Sequence, residues 1–246
     1  MERIIKEDET LDALQLNGIC VIQKKQAFRF GIDAVLLANF PKVKKGAKVV
    51  DLCSGTGIIP FILAGKTSAS NILGIEIQKE ICDMAKRSVK YNELDKKVKF
   101  IEADLKDVKL LKTIEKVDVV TVNPPYKTYG TGIININDKN AIARHEICCT
   151  LDDVIKASKV LLKDKGKLYM IHRPDRIADI MNVMRKYNIE PKLITTIHPT
   201  VKKAPSMILI EGQKNGGKFL KWNNPLYIYD ENNKYTNEVK KIYGIE

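Results

Sequence analysis

Four short apolar runs recur along the first half of this chain, with helix-like stretches between them. Residues 47–52 (AKVVDL), 71–77 (NILGIEI), 98–104 (VKFIEAD) and 117–122 (VDVVTV) are rich in β-branched side chains and read as buried strands. A helix follows the first run (IIPFILAGK), and Ile81, Met84, Ala85 and Val89 give 78–92 helical spacing. Strands that alternate with helices leave few topologies: right-handed crossovers and a mostly parallel sheet. Further strands are expected at 167–172, 192–198 and 206–211, for seven in all. Only Pro199 to Pro205 separates the last two, too short a link for a helical crossover, so they should pair antiparallel. The fold class is therefore α/β, an open seven-stranded sheet with its last strand antiparallel.

The remaining segments divide the chain into an N-terminal extension (1–45), the sheet-bearing domain (46–214) and a tail (215–246). Residues 1–17 are charged and fit a short peripheral helix. Residues 19–30 read as two short strands around a Lys-Lys-Gln turn, and Asp33 is placed to cap the helix AVLLANF. Residues 126–146 are polar and without period, a length that in a compact domain marks function or mobility. Thr150 with Asp153 resembles a capping box for a helix over 151–162, and another helix is expected over about 175–187. The Asn/Lys/Tyr-rich tail should pack in part or fray.

Lys and Arg number 42 against 30 Asp and Glu, a formal charge of +12, which favours a polyanionic partner, most simply a nucleic acid. A Lys-rich solvated surface is the plainer alternative. The N-terminus has no apolar secretion core, and no apolar run approaches the ~20 residues that span a bilayer, so a cytoplasmic protein with no membrane partner is expected. The five cysteines form no CxxC pair and suggest neither a disulfide framework nor a metal site.

Chemistry gathers at the strand ends. Asp51-Leu-Cys-Ser-Gly-Thr-Gly57 follows the first strand and opens a helix, so Gly55 and Gly57 let the backbone approach a ligand closely. A dinucleotide fingerprint would carry a third glycine, where this chain has Pro60. Glu76 ends the second strand, where a carboxylate accepts from ribose hydroxyls. Asp104 ends the third, placed either to meet an adenine amino group or merely to cap the next helix. Asn123-Pro124-Pro125-Tyr126 ends the fourth, on a backbone that cannot continue a sheet ladder.

With these positions in hand, the chain resembles the class I methyltransferases, Rossmann-like enzymes that use S-adenosylmethionine. The resemblance covers roughly residues 26 to 214. It implies that Asp51, Gly55 and Gly57 hold the amino-acid part of the cofactor, Glu76 the ribose and Asp104 the adenine. Ser54 in the loop, Ile77 and Leu105 beside the two acids, and Asn123 at the fourth strand's end are further expected cofactor contacts. Asn-Pro-Pro-Tyr resembles the motif of methyltransferases acting on planar nitrogens. There the Asn123 side-chain oxygen and the Pro124 carbonyl would hold the two amino hydrogens, Pro125 would stiffen the turn, and Tyr126 would stack on the base. No metal is required.

Four further stretches, FRFGIDAVLL from Phe28, ARHE from Ala143, IHRPDR from Ile171 and KAPSMILIEG from Lys203, together resemble the bacterial valine-tRNA adenine-N6 methyltransferases. The resemblance implies an N6-adenine tRNA methyltransferase acting 3′ of the anticodon, with Arg29, Phe30 and Asp33 near the methionine end of the cofactor. Lys127, Arg144, His145, His172, Arg173, Lys202 and Lys203 follow strand C-termini and are the expected contacts to the tRNA anticodon stem-loop. His145 and His172 also fit as structural histidines. Three rivals share the motif or the fold. A release-factor glutamine methyltransferase would more naturally carry an extra N-terminal helical domain. A DNA adenine methyltransferase usually adds a target-recognition domain. A non-catalytic RNA-binding module would have no need of an intact glycine loop and Asn-Pro-Pro-Tyr.

Overall fold

A computed structural model of the chain describes residues 4–14, 16, 18–26, 31–125 and 149–245. It opens with a hairpin of β1 (Glu9–Ala13) and β2 (Cys20–Lys24), then α1 (Ile32–Asn39). The alternation follows: β3 (Lys48–Leu52), α2 (Ile58–Lys66), β4 (Asn71–Glu76), α3 (Lys79–Tyr91), β5 (Val98–Glu102), α4 (Val108–Thr113) and β6 (Val117–Val122). After α5 (Leu151–Leu161) come β7 (Leu162–His172), α6 (Ile177–Lys186), β8 (Ile189–His198) and β9 (Met207–Lys214). The tail adds β10 (Lys221–Trp222), β11 (Leu226–Tyr227) and α7 (Asn237–Tyr243).

The main sheet runs β10-β8-β9-β7-β6-β3-β4-β5, with β11 also on β8. Only β9 is antiparallel to its neighbours, β7 and β8. The expected seven strands are all present, and two short strands of the tail raise the sheet to nine among the described residues. Alternate residues sort to opposite faces. Val49 and Val119 pack with α1, α2 and α3, while Val50 and Val120 pack with α4, α5 and α6. Each fully buried side chain of this size contributes roughly 1.5–3 kcal/mol. The Thr150 capping box forms as the sequence suggests, with Asp153 N–H donating to Thr150 Oγ1 and Thr150 N–H donating to Asp153.

The N-terminal expectations need correction. Residues 9–13 are a strand, not a helix, and β2 pairs with them; the strand expected beyond the Lys-Lys-Gln turn falls on 27–30, outside the described residues. The reason is α3. A lone hairpin is marginal, but Ser88 and Asn92 accept the backbone N–H groups of Ile22 and Cys20, each at 2.9 Å. Arg87 Nη1 and Nη2 each donate to the buried Glu9 carboxylate at 2.7 Å, fixing β1 to the same helix. Asp33 is not the cap of α1 either; Gly31 holds that position without a side-chain cap bond.

Candidate active site

The chain reverses direction across the sheet at β3. It winds outward through β4 and β5, then returns to lay β6 on the other side of β3. In an open α/β sheet such a reversal leaves a crevice beyond the carboxyl ends of the strands. Asn123, Asp51, Glu76 and Asp104 lie at or near the ends of β6, β3, β4 and β5, four neighbours in that order.

Asp51 is fully buried and in register with Thr121, whose hydroxyl donates to Asp51 Oδ1 at 2.5 Å. Burial pushes its carboxyl up to about 8; the Thr121 bond works against this and the Glu76 charge adds to it. Asp51 Oδ2 and the buried Ser54 Oγ have no hydrogen-bond partner among the described residues. Buried polar atoms are rarely left so, and each asks for a polar ligand.

The loop between is shaped for close approach. Cys53, Gly55 and Gly57 all have positive φ (54°, 54° and 93°). Left-handed backbone at a non-glycine residue such as Cys53 is strain of the kind that collects at functional sites. A Cβ at Gly55 would meet nothing within 4 Å, so its outer face is open. A Cβ at Gly57 would lie 2.5 Å from the Phe100 ring. Gly57 thus performs the tight helix–sheet contact for which Pro60 is unsuited. Cys53 Sγ also lies 3.8 Å from Cys149 Sγ, a pairing that spacing could not reveal.

Glu76 is 5% exposed and knits the rim together. It accepts from Gly55 N–H at 2.9 Å and from Gln78 N–H at 2.9 Å. A carboxylate has about four lone-pair sites, so ribose hydroxyls can still be accepted. Ile77, next along, is an exposed apolar side chain, whereas Leu105 is turned into the core. Asp104 accepts from Lys106 N–H at 2.8 Å, and the cap of α4 is Asp107. The helix-capping alternative for Asp104 is thereby removed. Orphaned polar atoms at one strand end, an acceptor at the next and an apolar step beyond suit the cofactor that the resemblance implies.

At the far side, Asn123 Nδ2 donates to Asp33 Oδ2 at 3.2 Å. Carboxylate oxygens only accept, so this contact assigns the amide orientation and turns Asn123 Oδ1 to the acceptor role. Pro124 is buried and Pro125 half-buried behind it. Tyr126, Arg29, Phe30, Lys127, Arg144 and His145 lie outside the described residues. Arg173, Lys202 and Lys203 are exposed on the rim that also carries Asn123. His172 is different: it is 4% exposed, its Nδ1 accepts the Arg173 N–H at 2.8 Å, and burial lowers its proton affinity to about 4. A neutral, buried imidazole is a structural element, not a phosphate contact. Sequence reading missed Thr121 as a partner of Asp51, although a polar residue inside an otherwise buried strand was the available signal.

A model of a methyltransferase domain matches residues 43–236. The tRNA1(Val) (adenine(37)-N6)-methyltransferase of Histophilus somni is 25% identical over 240 residues, covering 96% of this chain and 95% of that protein. The protein of the same description from Parabacteroides distasonis is 23% identical, covering 80% and 81%. Among solved structures, a predicted O-methyltransferase from Agrobacterium tumefaciens superposes with a TM-score of 0.69 at 21% identity, covering 86% of this chain and 95% of that one. That last likeness speaks to the fold alone. The strand order, the glycine loop and the matched 43–236 agree, and the chain belongs to the methyltransferase-domain family.

Proposed function

We propose that this chain transfers a methyl group from S-adenosylmethionine to N6 of an adenine in tRNA, the one 3′ of the anticodon in valine tRNA. The observation that carries the reading is the Asn123 amide, fixed by Asp33 at the end of β6, one strand from the glycine loop. The names of the relatives support the choice of tRNA. In this reading residues 46–214 perform the transfer, residues 1–45 brace it, and the tail serves the RNA. Such a substrate implies a cytoplasmic enzyme; no described helix is long and apolar enough to cross a membrane.

An adenine N6 lone pair is delocalised into its ring and is a poor nucleophile. Asn123 Oδ1 and the Pro124 carbonyl accept its two hydrogens and bias the nitrogen toward tetrahedral geometry. Bound S-adenosylmethionine supplies the electrophilic methyl on its sulfonium. Asp51, Ser54, Gly55 and Glu76 hold that donor, so the chain's own contribution is alignment. An anticodon-loop base is already outside a duplex, which keeps the cost of extracting it low.

Radiolabelled S-adenosylmethionine offered with unmodified tRNA, release factor and duplex DNA in parallel tests the reading. Label should appear in tRNA as N6-methyladenosine and vanish with Asn123→Ala. Label in release factor alone would overturn the RNA substrate and keep the site.

A further inference from the structure

The tail carries a second feature, away from the crevice. Phe219 is 85% exposed and Trp222 is 61% exposed, with Leu220 at 37% between them. Large aromatics this bare on a sheet edge ask for a partner. They are held, not loose. Lys192 Nζ reaches from β8 and donates to the carbonyls of Gly217, Lys218 and Phe219 at 2.8, 2.8 and 2.9 Å. Asn223, directly after Trp222, donates its N–H to Ile194 O at 2.8 Å and its side chain to Thr195 Oγ1 at 2.9 Å. Phe219 itself has φ +81°, a left-handed conformation unfavourable for an aromatic residue and held by that clamp.

Register fixes where this edge stands relative to the site. Trp222 pairs with Ile194, Ile194 with Ile210, Ile210 with Met170, and Met170 with Val122. Trp222 is thus level with the residue that precedes Asn123. Four strand spacings separate them, about 19 Å along the sheet. Between the two points the rim carries exposed Arg173, Lys202 and Lys203.

The charge of the edge selects its partner. From Gln213 to Tyr229 the sequence holds Lys214, Lys218 and Lys221 and no acid. Lys214 is turned inward onto the carbonyls of Lys159 and Leu162, while Lys218 and Lys221 are exposed. Pairing with a second copy of the chain is disfavoured, because a two-residue edge strand flanked by lysine and followed by Pro225 is a poor template for strand addition. Aromatic faces interleaved with lysine suit a polyanion that presents unpaired bases.

We propose that Phe219 and Trp222, with Lys218 and Lys221, form a second RNA contact that stacks on an unpaired base of the same substrate, about 19 Å from the methylated one. The proposal rests on the RNA reading above. Trp222 is the sole tryptophan in the chain and is its own probe.

The test titrates the full-length protein with unmodified tRNA and follows tryptophan fluorescence, beside methyl-transfer kinetics and S-adenosylhomocysteine calorimetry. Saturable quenching is expected. Trp222→Ala and Phe219→Ala should each raise KM for tRNA about fivefold or more, with kcat and S-adenosylhomocysteine affinity unchanged and Trp222→Phe restoring most of the loss. Methylated tRNA without quenching, and with KM unmoved by both alanine variants, would overturn the contact and leave the methyltransferase reading standing. Quenching by tRNA without methyl transfer to it would keep the contact and sink the substrate. A concentration-dependent dimer lost in Trp222→Ala, with tRNA kinetics unaltered, would assign the edge to a second copy and overturn the proposal.

Discussion

Asn123 and Asp33, 90 residues apart in the chain, meet at 3.2 Å, amide nitrogen to carboxylate oxygen. The contact depends on Gly31, because a Cβ there would lie 2.5 Å from Asp33 Oδ1. Asp33→Ala should let the amide rotate and present its nitrogen to the substrate in part of the population. A hydrogen bond to a charged group is worth about 1.5–3 kcal/mol, so kcat should fall roughly tenfold to a hundredfold. Steady-state kinetics beside S-adenosylhomocysteine affinity check this; a loss confined to affinity contradicts it.

In the proposed function, cofactor binding beside Asp51 should be coupled to protons. Its carboxyl, pushed up to about 8 by burial, is largely protonated at neutral pH in the free protein. A cationic ammonium brought beside the loop lowers that value, so binding should release up to one proton and tighten as pH rises toward 8. Calorimetry with S-adenosylhomocysteine in two buffers of different ionisation enthalpy measures the release. Asp51→Asn should abolish it.

The two loop glycines should fail differently. Gly57→Ala adds a methyl against Phe100 at 2.5 Å on left-handed backbone, and is expected to cost roughly 2–4 kcal/mol of stability. Gly55→Ala meets nothing within 4 Å, so stability should fall by only about 1–2 kcal/mol while cofactor affinity drops. Urea unfolding and calorimetry separate the two outcomes.

His172 imposes an acid limit. Its folded value of about 4 lies below the ordinary 6.5, so the unfolded chain binds the extra proton. Stability contributed by the neutral ring is present above about 6.5 and is lost as pH falls toward 4, by about 3 kcal/mol at the limit. Asp51 acts oppositely: its raised value lowers stability as pH climbs from about 4 to 8. The difference between wild type and His172→Gln therefore reports His172 better than the whole curve. A difference that is flat between pH 4 and 6.5 would contradict the assignment.

The sequence made legible the order of strands and helices described between residues 47 and 214, because alternation and apolar period are local properties that survive in any fold of this class. It also determined the crevice residues that sit at strand ends, Asp51, Glu76, Asp104 and Asn123, since a strand's end is marked by the residues that stop it. The capping box at Thr150 was legible for the same reason. Tertiary structure alone decided what depends on distant partners. Residues 9–13 became a strand because α3 supplies acceptors to the hairpin. Asp33 lies inside the first turn of α1, where it meets Asn123 instead of capping the helix. His172 ceased to be a rim cation because burial keeps its ring neutral. The tail joined the sheet because β8 offered an open edge, and that pairing set Trp222 level with the site. Each outcome turns on the cost of burying polar groups without partners, a cost that only three-dimensional packing assigns.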